Sequence, residues 1–508
     1  MAESKEYILL ARKGFRNEAL KELPHQERMI GFKRPDGDII KPKLAGGREV
    51  RIIHSIAADG PKLVEMDDLA AREVNLHPEV CALPVLKHPR PFTNWRRAGA
   101  SGATLSPDLP LSAPEPTTHG ERKVKIRVTE KKGGKSVTAL NGLLVTAFSD
   151  FLAGKGDHQS TDDSGKVVLR LSGKTIERLY CEQSLGWGAF RKNIPLRSPM
   201  VLQLEPVSVG FTDCVRRYYG GQRKFNPDIG VTVGVLDTGV GPHDDLNLVG
   251  GFGAVMGEPH KDYGDVDFHG TFVAGIIGSR GKLYPDLRGL APGVRIRSYR
   301  IFGQGAHATS HALYVAVYQA NSDGCDILNM SIGEGGYDQA LEKAIKDARD
   351  HGMLVVVAAG NGGRRAVSYP AACPGATAVS AMGCEGTFPD GALEEIAISR
   401  PPYSTVDPKE FIASFSNVGN LISVTGLGVG VLSTLPNNGY GECSGTSMAA
   451  PVVTGAAASL LSQTPGIYNM RRDCARSDAV EKLLFDNCLS RGFGPAFEGH
   501  GMPDPAKV

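Results

Sequence analysis

The C-terminal half of the chain is predicted to be an α/β domain with a parallel sheet, preceded by a small α+β unit and a small all-β sandwich. From residue 229 onward, apolar runs such as VTVGVLD and MLVVVAAGN alternate with helical patterns such as ALEKAIKDARDHG. Residues 122–207 contain short runs rich in β-branched residues between turn clusters, which is typical of a sandwich. Residues 1–90 mix helical and strand patterns.

Length, charge and cysteine usage narrow the class of protein. A chain of 508 residues is too long for one ordinary core, so two to four domains are expected. The net charge of +2 gives no support for nucleic-acid or membrane-surface partners, and no run approaches the roughly 20 apolar residues of a spanning helix. The apolar patch at residues 7–11 is too short for a signal peptide, and nine irregularly spaced cysteines do not suggest a disulfide framework. We therefore expect a cytoplasmic protein; export by an unusual route stays open.

Residues 1–90 are predicted to form the α+β unit. Strands are expected at residues 7–12, 50–55, 62–66 and 80–86, and helices at residues 17–23 and 69–76, with Asp67 or Asp68 capping the second helix. The order β-α-β-β-α-β is the split βαβ, or ferredoxin-like, arrangement. Gly, Ser, Pro and Ala dominate much of residues 91–121, which predicts a flexible linker that is open to proteolysis.

The sandwich is assigned to residues 122–207, a second linker to residues 208–229, and the α/β domain to residues 230–508. The sandwich contains no cluster of catalytic residue types, which favours a structural or docking module. In the α/β domain, parallel strands are expected to place their chemistry at their carboxyl ends.

Four polar residues follow strands or begin helices in the α/β domain. Asp237 ends VTVGVLD, Asn361 ends MLVVVAAGN, His269 begins a Gly-rich helix, and Ser447 begins another. Alone, each is an ordinary turn former, cap or surface residue. Together they supply an acid, a base, an amide donor and a hydroxyl, the groups that acyl transfer requires. Pro451 is expected in the first turn of the last helix, where a missing N–H matters least.

The motifs VLDTGV, HGTFVAG, LNMSIG, AAGN and GTSMAAP occur in this order from about residue 230 to the end. In this order they resemble the subtilisin-like serine proteases, or subtilases. The resemblance implies that Asp237 orients His269, that His269 is the general base, and that Ser447 is the nucleophile. It also implies an oxyanion hole formed by Asn361 and the Ser447 N–H. The substrate-binding residues that it implies are Ser331, Ile332, Gly333, Gly303 and Gly305.

The chain departs from the family pattern at three places. Phe272 stands where the family often has a second histidine, and a packing difference with intact chemistry is expected. Residues 279–292 lack the Asn-rich calcium loop of the secreted bacterial members, so Asp245 remains as a single oxygen ligand and no metal site or cofactor is predicted. The segment 383–409 is longer than the corresponding segment in compact family members, and it is interpreted either as a surface lid or as a plain loop.

The sequence thus predicts a serine endopeptidase acting on peptides or proteins and made as a self-processing precursor. Residues 1–90 resemble the family's propeptide and are expected to inhibit the protease intramolecularly; a permanent N-terminal domain is the alternative. Two other functions stay open. A ligase or macrocyclase would pass the acyl group to an amine with the same triad, and a peptide-binding scaffold would use the fold without catalysis.

Overall fold

The computed structural model describes residues 4–21, 50–90, 108, 110, 112–116, 121–132, 135–221, 224–303, 307–333 and 335–508. Within these ranges no helix is both long enough and apolar enough to span a bilayer. All nine cysteines lie in the described ranges, and each is a free thiol.

The N-terminal unit is one antiparallel sheet with two helices. Its elements are β1 (Lys5–Ala11), α1 (Glu18–Lys21), β2 (Arg51–Ser55), β3 (Lys62–Met66), α2 (Asp68–Asn75), β4 (Val80–Pro84) and β5 (Lys87–Pro89). The strands pair in the order β2–β3–β1–β4, each antiparallel to the next. Asp67 caps α2, because its carboxylate accepts a hydrogen bond from Ala70 N at 2.7 Å. Strand β5 lies outside this sheet.

Two sheets that share one apolar core follow. The strands are β6 (Arg122–Lys132), β7 (Lys135–Ala139), β8 (Leu144–Asp150), β9 (Lys155–Ser160), β10 (Lys166–Leu171), β11 (Thr175–Glu182), β12 (Ala189–Pro195) and β13 (Met200–Leu204). One sheet has the order β10–β6–β13 with β7 also on β6, and the other has the order β12–β11–β8–β9. Strand β10 alternates exposed and buried residues, and its buried Leu169 and Leu171 pack in the core with Ile126 and Leu179 of the two sheets.

The C-terminal domain contains the remaining elements. Its helices are α3 (Cys214–Tyr219), α4 (His269–Gly278), α5 (Ser310–Ser322), α6 (Gln339–Asp350), α7 (Thr446–Ser462), α8 (Pro465–Tyr468), α9 (Cys474–Asp486) and α10 (Pro495–Glu498), with short 3₁₀ turns at Pro227–Ile229, Pro285–Leu287 and Leu393–Ala397. Its strands are β14 (Thr232–Asp237), β15 (Leu248–Gly253), β16 (Arg295–Arg300), β17 (His307–Thr309), β18 (Ile327–Met330), β19 (Leu354–Ala358), β20 (Ala376–Cys384), β21 (Glu410–Ile412), β22 (Val424–Leu427), β23 (Val431–Leu435), β24 (Gly439–Cys443), β25 (Cys488–Leu489) and β26 (Met502–Pro503).

The main sheet of this domain has the order β15–β16–β14–β18–β19–β20–β21, with β22 also pairing with β20. All neighbours are parallel except β20 and β21. Val235 and Val356 pack on the face covered by α4 and α7, whereas Leu236 and Val357 pack on the face covered by α5 and α6. The predicted α/β fold with a parallel sheet is confirmed, and the carboxyl ends of β14, β18 and β19 meet at one edge.

Pro451 lies deeper in α7 than the sequence predicts. The helix begins at Thr446, so Pro451 is its sixth residue and the prediction that it lies in the first turn is wrong. A proline at this position removes the N–H that would bind the carbonyl of Ser447 four residues earlier. Ser331 Oγ donates to that carbonyl instead, at 2.8 Å. A side chain from the end of β18 therefore replaces the missing helical hydrogen bond.

Residues 383–409 pack against the sandwich. The N–H of Phe190 in β12 donates to Gly391 O at 2.8 Å, and Leu393 N donates to Gly188 O at 3.3 Å. Trp187, only 1% exposed, packs beside this contact with its ring 5.3 Å from that of Phe211. Residues 383–409 therefore form a docking surface for the edge of the sandwich sheet.

Parts of the segment predicted to be a flexible linker are bound to the sandwich. Asp108 forms ion pairs with Arg178 at 2.6 Å and Lys192 at 3.0 Å. Glu115 N donates to Gly154 O at 2.8 Å, and Gly156 N donates to Glu115 O at 2.9 Å, which extends the sheet beyond β9. These backbone and charge contacts hold the described part of the segment in place.

Candidate active site

Asp237 ends the central strand β14 and is fully buried. Its two carboxylate oxygens lie 2.8 and 3.0 Å from His269 Nδ1, and Thr238 N donates to Oδ1 at 2.7 Å. Because β14 has a parallel neighbour on each side, its last residue is held rigidly at the carboxyl edge of the sheet. The structure thus brings Asp237 and His269 into direct contact.

The first turn of α4 is held by a second carboxylate. The residue before the helix, Phe268, provides no side-chain cap. Asp265 accepts hydrogen bonds from Thr271 N at 2.9 Å and from Thr238 Oγ1 at 2.9 Å. Thr238 Oγ1 in turn accepts a hydrogen bond from Gly270 N at 3.0 Å. Asp265 therefore joins the loop after β14 to the turn that contains His269.

The protonation of His269 follows from these neighbours. Burial disfavours the imidazolium, but the facing carboxylate of Asp237, with Asp265 and Asp267 nearby, outweighs it and raises the pKa of His269 above its ordinary value. Because Nδ1 faces a carboxylate, it carries the proton of the neutral ring. Nε2 is buried and has no hydrogen-bond partner among the described residues. The ring is thus oriented with Nε2 free to accept a proton.

Ser447 is the second residue of α7 and is 7% exposed. Its hydroxyl donates to the carbonyl of Ser331 at 3.2 Å. Within the described part of the chain, Ser447 Oγ and His269 Nε2 do not form a hydrogen bond with each other. The structure therefore brings Ser447 to the end of β18 and directs its hydroxyl proton to the Ser331 carbonyl.

Asn361 follows β19 and is tied to the same helix terminus. Its Oδ1 accepts hydrogen bonds from Thr446 N and Thr446 Oγ1, both at 2.9 Å. Since a backbone N–H can only donate, the atom facing Thr446 must be the amide oxygen, which assigns Nδ2 to the other side. Nδ2 lies 3.6 Å from the position that a Cβ on Gly445 would take. The amide N–H₂ is thus held beside the residues that precede Ser447.

The other predicted site residues that the structure describes lie on two segments near this centre. Ser331 and Ile332 are buried, and a Cβ on Gly333 would lie 3.4 Å from Cα of Gly360. The segment 331–333 therefore packs against the residues before Asn361. Gly303 follows β16, and its carbonyl accepts a hydrogen bond from Arg90. Gly305 lies outside the described residues.

The tail of the N-terminal unit reaches this second segment. Strand β5 pairs antiparallel with β17, with His88 opposite Ala308. His88 Nε2 lies 2.6 Å from a carboxylate oxygen of Asp338, and both side chains are buried. Arg90 then contacts Gly303 and Asp267, and Asp267 lies two positions before His269. The tail thus pairs with the short strand β17 of the C-terminal domain and then runs toward the Asp237–His269 pair.

Comparison with known proteins agrees with this geometry. Residues 228–494 match the subtilase family. The chain belongs to the subtilase family. Subtilisin BL of Lederbergia lenta is 34% identical over 242 residues, which cover 48% of this chain and 80% of that protein. Subtilisin DY of Bacillus licheniformis is 35% identical over 240 residues, which cover 46% of this chain and 78% of that protein. Alkaline protease of Shouchella clausii is 34% identical over 242 residues, which cover 48% of this chain and 57% of that protein.

The predicted family is therefore confirmed, and with it the class of activity. This subtilase is a serine-type endopeptidase, and its substrates are peptides or proteins. The family match begins at residue 228, after the N-terminal unit and the sandwich.

The surroundings of Asp245 in this subtilase test whether a calcium ion fits there. One carboxylate oxygen accepts hydrogen bonds from Lys282 N at 2.6 Å and Leu283 N at 3.3 Å. The other accepts a hydrogen bond from the Tyr440 hydroxyl at 2.6 Å. Calcium takes 6–8 oxygen ligands, and the described residues contain no group of three or more His, Cys, Asp or Glu side chains that could hold a metal ion. Donors surround this carboxylate, so the residues present do not fit a calcium ion.

Sequence reasoning missed the residues that support the centre. Asp265 precedes His269 by four positions, and an acidic residue just before a helix is a recognisable capping signal. Thr446 precedes Ser447, where a helix-starting threonine is common. By contrast, Arg90 and Asp267 are 177 residues apart, and no local pattern predicts their contact.

Proposed function

We propose that this subtilase hydrolyses peptide bonds through an acyl-enzyme on Ser447. His269 is the general base, and Asp237 orients it. The observation that supports these roles best is the buried Asp237–His269 contact, which binds Nδ1 and leaves Nε2 unpartnered. That is the state in which an imidazole accepts a hydroxyl proton.

The reaction would begin with rotation of the Ser447 hydroxyl from the Ser331 carbonyl toward His269 Nε2. Nε2 takes the hydroxyl proton as Oγ attacks the substrate carbonyl carbon. The imidazolium then gives this proton to the leaving amine, and the acyl-enzyme remains. Water attacks the ester by the same route and restores the serine. The raised pKa of His269 reflects how Asp237 stabilises the imidazolium formed in both stages.

The oxyanion that forms on the substrate carbonyl would be bound by Asn361 Nδ2 and the Ser447 N–H. Two features support this assignment. The amide oxygen of Asn361 is held by Thr446, which directs Nδ2 away from it. The N–H of the second residue of α7 has no partner within the helix, and the positive end of the helix dipole lies there. In this proposal, both donors are in place before substrate binds.

Substrate is proposed to bind as an extended strand between the segment 331–333 on one side and the segment with Gly303 and Gly305 on the other. Residues 1–90, a ferredoxin-like propeptide in this proposal, would block this cleft in the precursor. The β5–β17 pairing supports the idea, because an extended segment of the N-terminal unit pairs there with the backbone of the protease domain. Self-cleavage is expected between about residues 88 and 120. The contacts of Asp108 and Glu115 with the sandwich favour a cut before residue 108.

An active-serine probe tests the catalytic assignment. A fluorophosphonate should label the wild type and leave Ser447→Ala unlabelled. Ser459→Ala is a matched control, since this buried serine lies in the same helix and its hydroxyl accepts a long hydrogen bond, 3.5 Å, from Gln463 Nε2. It should be labelled like the wild type. Labelling that persists in Ser447→Ala would refute the role of Ser447.

Mass spectrometry of the purified N-terminus tests the precursor proposal separately. The wild type should begin within residues 89–121, and Ser447→Ala should retain the N-terminal unit. A wild type that starts at residue 1 or 2 would contradict self-processing without touching the catalytic assignment.

A further inference from the structure

The guanidinium of Arg90 occupies a receptor of three groups beside the candidate catalytic pair. Nη2 donates to Gly303 O at 2.7 Å, and Nη1 lies 3.2 Å from Asp267 Oδ2. The Cζ atom of Arg90 lies 5.7 Å from the centre of the Phe302 ring. A carboxylate, a carbonyl and an aromatic face are the groups that bind an arginine or lysine side chain.

The position of this receptor links it to substrate. Asp267 is two residues from His269, and Gly303 belongs to a proposed substrate-binding segment. The tail with Arg90 enters by antiparallel pairing with β17, so its main chain already adds to a backbone segment of the C-terminal domain as an extended peptide would. It also runs toward the catalytic pair. A peptide bound in the same direction would present its side chain to Asp267 before it reaches Ser447.

The charge of the receptor is available to an incoming residue. The Asp267 side chain is 28% exposed, and Arg90 is its ion-pair partner. Asp265, its near neighbour, is engaged by Thr238 and Thr271. When the tail leaves, Asp267 loses its cationic partner and its charge faces the cleft.

We propose that Asp267, with the carbonyl of Gly303, is a specificity-determining site for a positively charged side chain on the N-terminal side of the cleaved bond. Peptides with arginine or lysine at that position are the preferred substrates, and Arg90 is their intramolecular counterpart. This inference rests on the proposed function.

Paired peptides that differ only in charge provide the test. Quenched fluorescent substrates carry arginine or citrulline, its neutral isostere, at each of the four positions before the cut in turn. The full chain should cleave the arginine peptide with a kcat/KM higher by about fivefold at one of these positions, the size expected of a partly exposed charge-assisted hydrogen bond. Asp267→Asn should reduce that ratio to about one. Because the ratio compares two substrates on one enzyme, a change in the pKa of His269 cancels.

Asp350→Asn is the matched control, because it removes a surface carboxylate that pairs with Lys346 on α6. It should keep the full preference. Equal cleavage of both peptides by the wild type at all four positions would overturn the inference, as would a preference that survives in Asp267→Asn. A rise in the turnover of both peptides in Asp267→Asn, with no change in their ratio, would show that Asp267 only docks the tail. Turnover of the peptides by Ser447→Ala tests the proposed function separately. If this variant does not cleave them, the proposed function stands whatever the charge preference. If it cleaves them as fast as the wild type, both the proposed function and the role of Asp267 are overturned.

Discussion

Lowering the pH should loosen the N-terminal unit from the protease domain, because three histidines meet at their contact. His54 lies in β2, His311 in α5, and His260 in the loop before α4. The ring of His54 lies 5.1 Å from that of His311 and 5.7 Å from that of His260. His54 Nδ1 and His311 Nε2 are buried without hydrogen-bond partners among the described residues. A proton on either ring would therefore have no acceptor.

Burial, together with the neighbouring histidines, lowers the pKa of His54 to about 4 and that of His311 to about 3. For a base, a lowered pKa means that the docked state binds protons less readily than the separated or unfolded state. The stability contributed by the neutral rings is therefore complete above an ordinary histidine pKa of about 6.5. It is lost as the pH falls from about 6.5 toward 4.

The size of the effect follows from the difference between these pKa values. At pH 5 a hydrated histidine with a pKa of about 6.5 favours the separated or unfolded state by roughly 2 kcal/mol, since each pH unit contributes about 1.4 kcal/mol. His54 and His311 together give at most about 4 kcal/mol. Among the described residues, the only charged groups that act on the pKa values of His54 and His311 are other histidines, so no carboxylate offsets the cost of protonating them.

Hydrogen exchange provides the assay. In the full-length Ser447→Ala chain, the amides of β1 to β4 should lose protection between pH 7.5 and pH 5, after correction for intrinsic rates. The double variant His54→Gln/His311→Gln should lose much less, because its side chains stay neutral. His158→Gln, an exposed position on the sandwich, should behave as the parent. An equal loss of protection in the double variant and the parent at pH 5 would refute the reasoning.

Two further predictions concern the supporting carboxylates. Asp265→Asn removes a charge that raises the pKa of His269, so the acid limb of the kcat/KM–pH profile should move to lower pH and kcat/KM should fall on the order of tenfold; an unshifted acid limb would count against it. Tyr440→Phe takes the hydrogen-bond donor from one oxygen of Asp245 and should lower the free energy of unfolding by about 1–3 kcal/mol. Thermal unfolding of both wild type and variant should be the same in calcium and in chelator, and a calcium-dependent rise in Tm that changes with Tyr440→Phe would contradict the donor set around Asp245.

The catalytic domain was predictable because its signals are local. Buried strands such as β14 and β19 are continuous apolar runs, and the residue after each such run lies at the carboxyl edge of a parallel sheet. That rule brings Asp237 and Asn361 to one edge without knowledge of a single contact. The helices that begin at His269 and Thr446 then supply the other two side chains.

Contacts between distant segments were not predictable in this way. The pairing of β5 with β17, and the hydrogen bonds between residues 383–409 and the sandwich, join backbones about 200 residues apart, and backbone hydrogen bonds carry no side-chain pattern. The direction of the Ser447 hydroxyl is similarly hidden, since no local pattern predicts that the Ser331 carbonyl accepts it. The composition of residues 112–116 also predicted a flexible linker, whereas Glu115 in this segment pairs with Lys155 and extends a sheet.

The proline in GTSMAAP links the fold to the proposed chemistry. A helix-interior proline costs about 3 kcal/mol when the freed carbonyl stays unpaired. Here that carbonyl belongs to Ser447, and Ser331 Oγ binds it while the Ser331 carbonyl accepts the Ser447 hydroxyl. Asn329 Nδ2 donates to Ser331 Oγ at 2.9 Å, and Thr454 Oγ1, one turn after the proline, donates to Asn329 Oδ1 at 2.9 Å. The missing N–H of Pro451 therefore leaves the Ser447 carbonyl without its helical donor, and the Ser331 hydroxyl, at the end of β18, donates to it instead. Through this exchange the main chain of the proposed nucleophile is fixed to the central sheet, and only its hydroxyl is left to rotate.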